Sequence, residues 1–311
     1  MERLTIPGVA KPISRIVLGT LVFSPHKDMT GEELLDAFFE AGGNAIDTAH
    51  AYGGGDSERV VGAWMNTHDN REEVFLIDKG AHHTPKVPRP RLNPQEIKCD
   101  LDESLDRLHT DYIDLYLLHR DDPQIPVATI VDYLNHEIEI GRIIAFGASN
   151  WTHLRIQEAN EYAAQNGLIG FAVSSSNLSL AVPMEAMWPG VLSASDEAQH
   201  WHRENDFPLL SWSSQARGFF SGQFTPENRD DENMVRVYYN PENFEKLRRA
   251  QELGSKKGFT AIQIALAYVM HQPYPTLPII GPCTLAELDS SLEALKIKLS
   301  NDEMLWLNLE D

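Results

Sequence analysis

The chain alternates short apolar runs with longer stretches in which apolar residues recur every three or four positions. A short apolar run is typical of a buried strand, and a period near 3.6 residues is typical of an amphipathic helix. The runs predict strands at 15–20, 44–48, 73–79, 112–119, 143–148, 170–175, 208–212 and 276–281. The periodic stretches predict helices at 30–42, 57–66, 94–108, 125–140, 151–165, 195–204, 242–257, 260–271, 284–294 and 301–309. Thr30 is the predicted N-cap of the first helix, and Pro94 suits the first position of the third.

This alternation of strands and helices predicts a parallel sheet whose faces are covered by helices. Eight strand–helix units favour a closed (β/α)8 TIM barrel over an open sheet. No linker rich in Pro, Gly or Ser separates two parts of the chain, so a single domain is predicted over residues 1–311. Long connections at 176–194 and 213–240 follow the sixth and seventh strands, and loops of that length are usually functional or disordered.

Composition narrows the class of partner. The net charge of −20 repels the phosphates of nucleic acid, so we expect no nucleic-acid partner. Cys99 and Cys283 are too few for a disulfide framework, and they indicate a reducing, cytoplasmic setting. No run of about 18 apolar residues predicts a membrane span, and the N-terminus lacks the pattern of a signal peptide. A small-molecule partner is compatible with this composition, and the oligomeric state stays open.

Four polar side chains lie at or just after the ends of consecutive predicted strands: Asp47, Tyr52, Lys79 and His119. Each has an ordinary structural explanation, as a helix cap, a packed loop aromatic, a strand-end lysine and a core histidine. Four separate structural explanations are much less plausible when all four side chains are expected at the same end of one sheet.

Together these four side chains suit the reduction of a carbonyl group. A phenol is a weak acid, with an ordinary pKa of about 10, and a nearby ammonium group lowers that pKa. Tyr52 is therefore the predicted general acid/base, Lys79 its activating cation and Asp47 the anchor of Lys79. A neutral His119 would orient the carbonyl oxygen.

The segments around these residues resemble the aldo-keto reductase superfamily, and the resemblance covers nearly the whole chain. Residues 44–58 resemble its first signature, 75–79 the strand with the catalytic lysine, and 111–120 the segment with the catalytic histidine. The resemblance implies an NAD(P)H-dependent enzyme that reduces an aldehyde or ketone, possibly sugar-like, to an alcohol, or catalyses the reverse reaction. It assigns catalysis to Asp47, Tyr52, Lys79 and His119.

The resemblance also places a nicotinamide dinucleotide, although the chain has no Gly-x-Gly-x-x-Gly fingerprint after a strand. Ser149 and Asn150 match the pair that holds the carboxamide, and Ser175 stands where the family often has a glutamine. Trp212 replaces the usual stacking tyrosine, and Arg217 faces either a phosphate or solvent. The cofactor residues implied are Gly19, Thr20, Asp47, Ser149, Asn150, Ser175, Trp212, Ser213, Ser214, Gln215, Arg217, Gly281, Cys283, Glu287 and Ser291.

The preference between the two dinucleotides depends on the segment after the last strand. Members that prefer NADP commonly carry an arginine or lysine there, against the 2′-phosphate, whereas this chain has Cys283 and Glu287. A carboxylate repels a phosphate but accepts a hydrogen bond from a free ribose hydroxyl. Family habit favours NADP and these residues favour NAD, so the prediction is NAD(P)(H).

Aromatic residues of the loops supply the substrate candidates Phe23, Trp151 and Trp188, which would either contact substrate or pack the loops. No metal site is expected, since the pairs His82–His83 and His200–His202 lack partners at ligand spacing, and they are interpreted as surface or loop histidines. Two alternatives remain: a cofactor-binding regulatory subunit of a larger assembly with little turnover, and a Schiff-base aldolase that uses Lys79.

Overall fold

A computed structural model describes residues 1–26, 31–83 and 89–310. It opens with a short antiparallel hairpin that the sequence pattern did not predict. In this hairpin β1 (Arg3–Leu4) pairs with β2 (Ile13–Ser14). Strands of two residues are too short to show an apolar period, so the pattern contains no signal for them.

Eight parallel strands follow and close into a barrel, which confirms the predicted TIM barrel. They are β3 (Val17–Gly19), β4 (Ala45–Asp47), β5 (Phe75–Gly80), β6 (Ile113–Leu118), β7 (Ile143–Ser149), β8 (Ser174–Ser175), β9 (Leu209–Ser211) and β10 (Thr276–Ile280). Their order around the barrel is β10, β3, β4, β5, β6, β7, β8, β9. Six lie within a predicted run, and β5 and β7 extend one residue beyond theirs. Several are shorter than the run because only part of it forms ladder hydrogen bonds.

The helices of the described residues are α1 (Glu32–Glu40), α2 (Asp56–His68), α3 (Pro94–Leu108), α4 (Val127–Glu139), α5 (His153–Gln165), α6 (Asp196–Glu204), α7 (Glu232–Tyr238), α8 (Pro241–Lys257), α9 (Ala261–Met270), α10 (Leu285–Glu293) and α11 (Asn301–Leu307). Short 3₁₀ segments span Tyr52–Gly55, Ala216–Ser221 and Ala294–Lys296. None of these helices is long and apolar enough to cross a membrane.

Helix starts follow the local chemistry of the sequence. Pro94 occupies the first turn of α3, and the Asn93 side chain accepts a hydrogen bond from the Glu96 amide at 3.1 Å. The predicted N-cap Thr30 lies outside the described residues, and Gly31 precedes α1 with a left-handed φ of 113°.

Helix α7 was not predicted, because it lies within residues 213–240, where the pattern predicts a long connection. The Asp231 side chain accepts a hydrogen bond from the Met234 amide at 3.0 Å and so caps the helix. Met234, Val237 and Tyr238 are buried. Helix α7 has only about two turns and a charged first turn, so too few of its positions are apolar to show a helical period in the sequence.

Packing within the fold divides the chain into two compact units. The first comprises Met1–Ser175 with Gly281–Cys283, and the second comprises Ser176–Ile280 with Thr284–Asp311. The first unit holds β1 to β8 and α1 to α5, and the second holds β9, β10 and α6 to α11. A single domain over residues 1–311 stays a prediction.

Helices α2 and α3 approach each other closely at Gly62. A Cβ atom there would collide with the Arg107 carbonyl oxygen and come within 2.8 Å of the Leu108 Cα. These are backbone atoms that cannot move aside, so Gly62→Ala is expected to lower the free energy of unfolding by about 1–3 kcal/mol. Chemical denaturation measures this. Gly281→Ala is the control, since a Cβ there meets nothing within 4 Å. Equal stability of the two variants would contradict the packing argument.

Candidate active site

Lys79 is the centre of a buried hydrogen-bonded cluster in the first unit. Its ammonium nitrogen donates to Asp47 Oδ1 at 2.6 Å, to the Thr48 carbonyl at 3.0 Å and to Tyr52 Oη at 3.1 Å. These three acceptors match the three protons of an ammonium group. The side chains of Lys79 and Asp47 are each 3% exposed, so the ion pair is shielded from water.

The strand register explains why these residues meet. Asp47 is the last residue of β4 and lies opposite Ile77 of the parallel strand β5. Side chains alternate along a strand, so Lys79 shares the face of Ile77 and extends past the end of β4. The Thr20 amide and hydroxyl both donate to the Asp47 carbonyl, at 3.0 and 3.1 Å, and fix the end of that strand. Tyr52 begins the 3₁₀ segment that follows β4.

His119 completes the group from the next strand. It follows β6 directly, and its amide donates to the Gly80 carbonyl at 2.8 Å. Its ring lies edge-on to the Tyr52 ring, with centroids 5.6 Å apart and an interplanar angle of 79°. His119 is 7% exposed, and its Nδ1 atom is buried without a hydrogen-bond partner. The structure thus brings together all four predicted catalytic residues.

Burial and charge set the protonation states of the cluster. Burial raises the pKa of Asp47 above its ordinary value, and the Lys79 charge opposes that shift. Burial works to lower the pKa of Lys79, but Asp47 and Tyr52 outweigh it, so the net pKa is raised and the ammonium stays charged. Burial, followed by the charge of Lys79, holds the pKa of His119 well below its usual range. His119 is therefore a neutral imidazole at physiological pH.

The Tyr52 phenol differs from the expectation in one respect. Its pKa is raised, because burial raises it by more than the nearby Lys79 ammonium lowers it. The predicted effect of Lys79 is present, but the net shift is upward, opposite to the expectation. A phenol in this state keeps its proton at neutral pH and suits the role of general acid.

The residues predicted to hold the carboxamide lie beside His119 in the first unit. Asn150 has a left-handed φ of 61°, and its Nδ2 donates to Ser149 Oγ at 3.0 Å and to the His119 carbonyl at 3.3 Å. Strained backbone of this kind concentrates at functional sites. The Ser175 hydroxyl is buried and has no hydrogen-bond partner. A buried hydroxyl without a partner fits a polar ligand group such as a carboxamide.

The other first-unit cofactor candidates have mixed environments. Gly19 ends β3, and the adjacent Thr20 is fully buried, with its hydroxyl bonded to Asp47 rather than directed to a ligand. Gly281 and Cys283 follow β10 and are exposed. The structure therefore gives Thr20 a positioning role, whereas Gly281 and Cys283 are accessible to a ligand.

The second unit holds the remaining cofactor candidates. Trp212 follows β9, and its indole nitrogen is buried without a partner. The loop after it turns back sharply, with positive φ at Ser213, Ala216, Arg217 and Gly218. Consecutive amides in such conformations form concavities that bind anions.

Side chains of the same unit fix that loop. Ser214 Oγ donates to the Ile279 carbonyl at 2.8 Å, and Gln215 donates to Ser291 Oγ at 3.4 Å. Arg217 is exposed, with its guanidinium 5.1 Å from the centre of the Trp188 ring. Glu287 is exposed in the first turn of α10. Arg217 and Glu287 are thus both open to a ligand.

The three predicted substrate contacts differ in accessibility. Phe23 is 3% exposed and Trp151 is 2% exposed, whereas Trp188 is 39% exposed. The Trp151 indole nitrogen donates to the Arg120 carbonyl at 3.2 Å, and its ring packs on Phe171. Trp151 therefore has a visible role in positioning the segment after β6.

The interpretation of the paired histidines as surface or loop residues is wrong for His202, whereas His82 lies in the loop after β5 but is not on the open surface. His82 is half-buried, and its ring centroid lies 4.6 Å from that of His119. Burial lowers the pKa of His82 to about 4. His202 is buried on α6 and stacks on Tyr274. The sequence contained no local signal for either position, because both depend on partners distant in the chain.

Comparisons with known proteins agree with this geometry. The model of the aldo/keto reductase family matches residues 15–307. The chain belongs to the aldo/keto reductase family. This membership confirms the resemblance drawn from the strand-end residues, and it makes the protein an oxidoreductase.

Several proteins similar to this aldo/keto reductase are themselves named as reductases. Norsolorinic acid reductase A of Aspergillus parasiticus is 30% identical, over 97% of this chain and 79% of its own length. An aldo-keto reductase of Schizosaccharomyces pombe named for NADP(+) is 29% identical, over 90% of this chain and 82% of its own. A thermostable aldo-keto reductase solved with the inhibitor epalrestat superposes with a TM-score of 0.78 at 24% identity, over the full length of both chains. That likeness supports the fold.

Proposed function

We propose that this aldo/keto reductase uses NAD(P)H to reduce an aldehyde or ketone to an alcohol, or catalyses the reverse oxidation. The observation that carries the proposal is the contact of 3.1 Å between Lys79 Nζ and Tyr52 Oη, with Asp47 behind the lysine at 2.6 Å. The neutral His119 ring lies beside the same phenol. Relatives named as reductases support the same reaction class.

The dinucleotide supplies hydride to the carbonyl carbon when it is bound. Tyr52 donates its proton to the carbonyl oxygen, so the product is an alcohol and the phenol becomes a phenolate. The Lys79 ammonium stabilises that phenolate, and Asp47 keeps the ammonium charged and in place. The neutral His119 ring donates its N–H to the carbonyl oxygen and orients it. In the oxidative direction the Tyr52 phenolate accepts the proton.

The residues that would hold the dinucleotide are assigned unit by unit. In the first unit, Ser149, Asn150 and Ser175 offer hydroxyl and amide groups to the carboxamide, which carries both donors and acceptors. In the second unit, Trp212 offers a flat aromatic surface to a ring, and the loop 213–218 offers its amides to phosphate oxygens. The buried atoms without partners in both groups support these assignments.

A screen of aldehydes, ketones and sugar-like carbonyl compounds tests the proposal. Turnover is followed through the nicotinamide absorbance, with NADH and NADPH in parallel. The expected result is oxidation of at least one dinucleotide that depends on the carbonyl compound. Stoichiometric binding of dinucleotide without turnover on the whole panel would favour the regulatory-subunit alternative. Borohydride trapping of Lys79 with a carbonyl compound would favour the aldolase.

The residues after β10 support a preference for NAD(H). Glu287 is exposed, and a carboxylate there disfavours a 2′-phosphate. Glu287→Lys is therefore expected to raise the affinity for NADPH relative to NADH by about tenfold, the worth of one charge-assisted hydrogen bond. Competing titrations measure the ratio of the two Kd values. Asp289→Lys makes the same charge change two residues away and is the control. Tighter binding of NADPH than NADH by the wild-type protein would contradict this assignment.

A further inference from the structure

Arg120 is a cation beside the catalytic centre that the proposed reaction does not use. It follows His119 directly, is half-buried, and donates from Nη1 to the His119 carbonyl at 2.9 Å. Asn150 Nδ2 donates to the same carbonyl at 3.3 Å, so the guanidinium lies next to the proposed carboxamide pair. The Arg120 Nε atom is buried and has no hydrogen-bond partner.

Among residues 1–26, 31–83 and 89–310, no carboxylate forms an ion pair with Arg120. The adjacent Asp121 is already paired with Arg155, whose Nε lies 2.9 Å from Asp121 Oδ1. Arg155 also donates to the carbonyls of Asp122 and Ile125, at 3.1 and 2.6 Å. Arg155 is thus engaged by several acceptors, whereas Arg120 has no ion-pair partner among the described residues.

No carboxylate in the described part of the chain lies within ion-pair distance of the Arg120 guanidinium. The Arg120 charge is among the causes, after burial, that lower the pKa of both His119 and His82. The His82 carbonyl is held by Arg91 at 3.1 Å, and Arg91 pairs with Asp100 at 2.7 Å. His82 is therefore fixed beside His119 as a neutral ring. A half-buried cation without a counterion costs free energy that a bound anion recovers.

We propose that Arg120 is a specificity-determining residue that binds an anionic group, a carboxylate or phosphate, on the carbonyl substrate. A guanidinium presents several N–H donors in a plane, which suits both groups. The rings of His82 and His119 carry no charge, so Arg120 is the cation near them that attracts such a group. The inference rests on the proposed carbonyl reduction and adds its substrate class. The net charge of −20 gives the rest of the surface the opposite sign, so this preference is a local property of the site.

A pair of substrates that differ in one charge tests the proposal. 4-Carboxybenzaldehyde and methyl 4-formylbenzoate share the reacting aldehyde, and only the first carries a carboxylate. The wild-type protein is expected to favour the carboxylate in kcat/KM. Arg120→Gln is expected to reduce that preference by about 10- to 100-fold, mainly through KM, and Arg120→Lys to keep part of it. Arg59→Gln removes an exposed charge on α2 and is expected to leave the ratio unchanged.

Two further measurements separate the possible failures. Isothermal titration of both aldehydes without dinucleotide reports the Arg120 contact even in the absence of turnover. Loss of carboxylate binding in Arg120→Gln, with no member of the carbonyl panel reduced by the wild-type protein, would sustain the anion site and contradict the proposed reduction. A ratio unchanged by Arg120→Gln, or a wild-type preference for the ester, would overturn the anion site alone. Weaker binding of the dinucleotide, with an unchanged ratio, would assign Arg120 to a cofactor phosphate and also overturn it.

Discussion

Tyr52→Phe is expected to lower kcat for carbonyl reduction by about 10²- to 10⁴-fold, the usual worth of a positioned general acid. The change removes one oxygen atom, which lies 3.1 Å from Lys79 Nζ, and it leaves the ring in place against His119. Lys79 keeps its bonds to Asp47 and to the Thr48 carbonyl, so the buried charge stays paired. Steady-state kinetics measure the loss.

Binding of the dinucleotide is expected to survive this substitution, since none of the proposed carboxamide contacts passes through the Tyr52 hydroxyl. Fluorescence titration of Tyr52→Phe with NADH and NADPH measures that. Tyr162→Phe is the matched control, because its hydroxyl bonds Asp132 at 2.9 Å on the surface, away from the cluster. A kcat for Tyr52→Phe close to that of Tyr162→Phe would refute the assignment of Tyr52.

Lys79→Met is expected to affect stability as well as catalysis. The Asp47 carboxylate would remain buried without its cation, and breaking a buried pair in this way costs about 3–5 kcal/mol. The double variant Lys79→Met/Asp47→Asn removes both charges, so it is expected to recover most of the lost free energy of unfolding. Chemical denaturation of the wild-type, single and double variants measures this.

The pH dependence of activity in the double variant distinguishes a catalytic role of Lys79 from a purely structural one. Without the ammonium, the pKa of Tyr52 is expected to rise further above its ordinary value, because only the charge of Arg120 then opposes the effect of burial. Alcohol oxidation needs the phenolate, so the rise of its rate with pH is expected to move to higher pH in the double variant and the rate at neutral pH to fall. A double variant with the wild-type pH profile would show that Lys79 serves only the fold.

The barrel was predictable because each of its strands overlaps an apolar run and each run alternates with a helical period. The meeting of Asp47, Lys79 and His119 was predictable for a related reason, since parallel strands present their carboxyl ends at one edge. The hairpin β1–β2 and helix α7 were not predictable, because both are too short to show a period.

The finer properties of the site depend on packing that a local pattern does not contain. His82 faces His119 because Asp100 of α3 accepts from the Ala81 amide at 2.8 Å and pairs with Arg91, which binds the His82 carbonyl. The upward shift of the Tyr52 pKa likewise reflects burial, which the spacing of residues does not reveal. Arg120 has no ion pair with the adjacent Asp121, because the Asp121 carboxylate pairs with Arg155 instead.

Transfer of deuterium from a dinucleotide labelled at the reactive nicotinamide carbon tests the central claim most directly. The wild-type protein, given a carbonyl compound from the panel, is expected to form an alcohol that carries the deuterium on the former carbonyl carbon. Mass spectrometry of the product, with Tyr52→Phe in parallel, detects it. An alcohol without deuterium, or bound dinucleotide that reduces no member of the panel, would contradict hydride transfer at the Asp47–Tyr52–Lys79–His119 site.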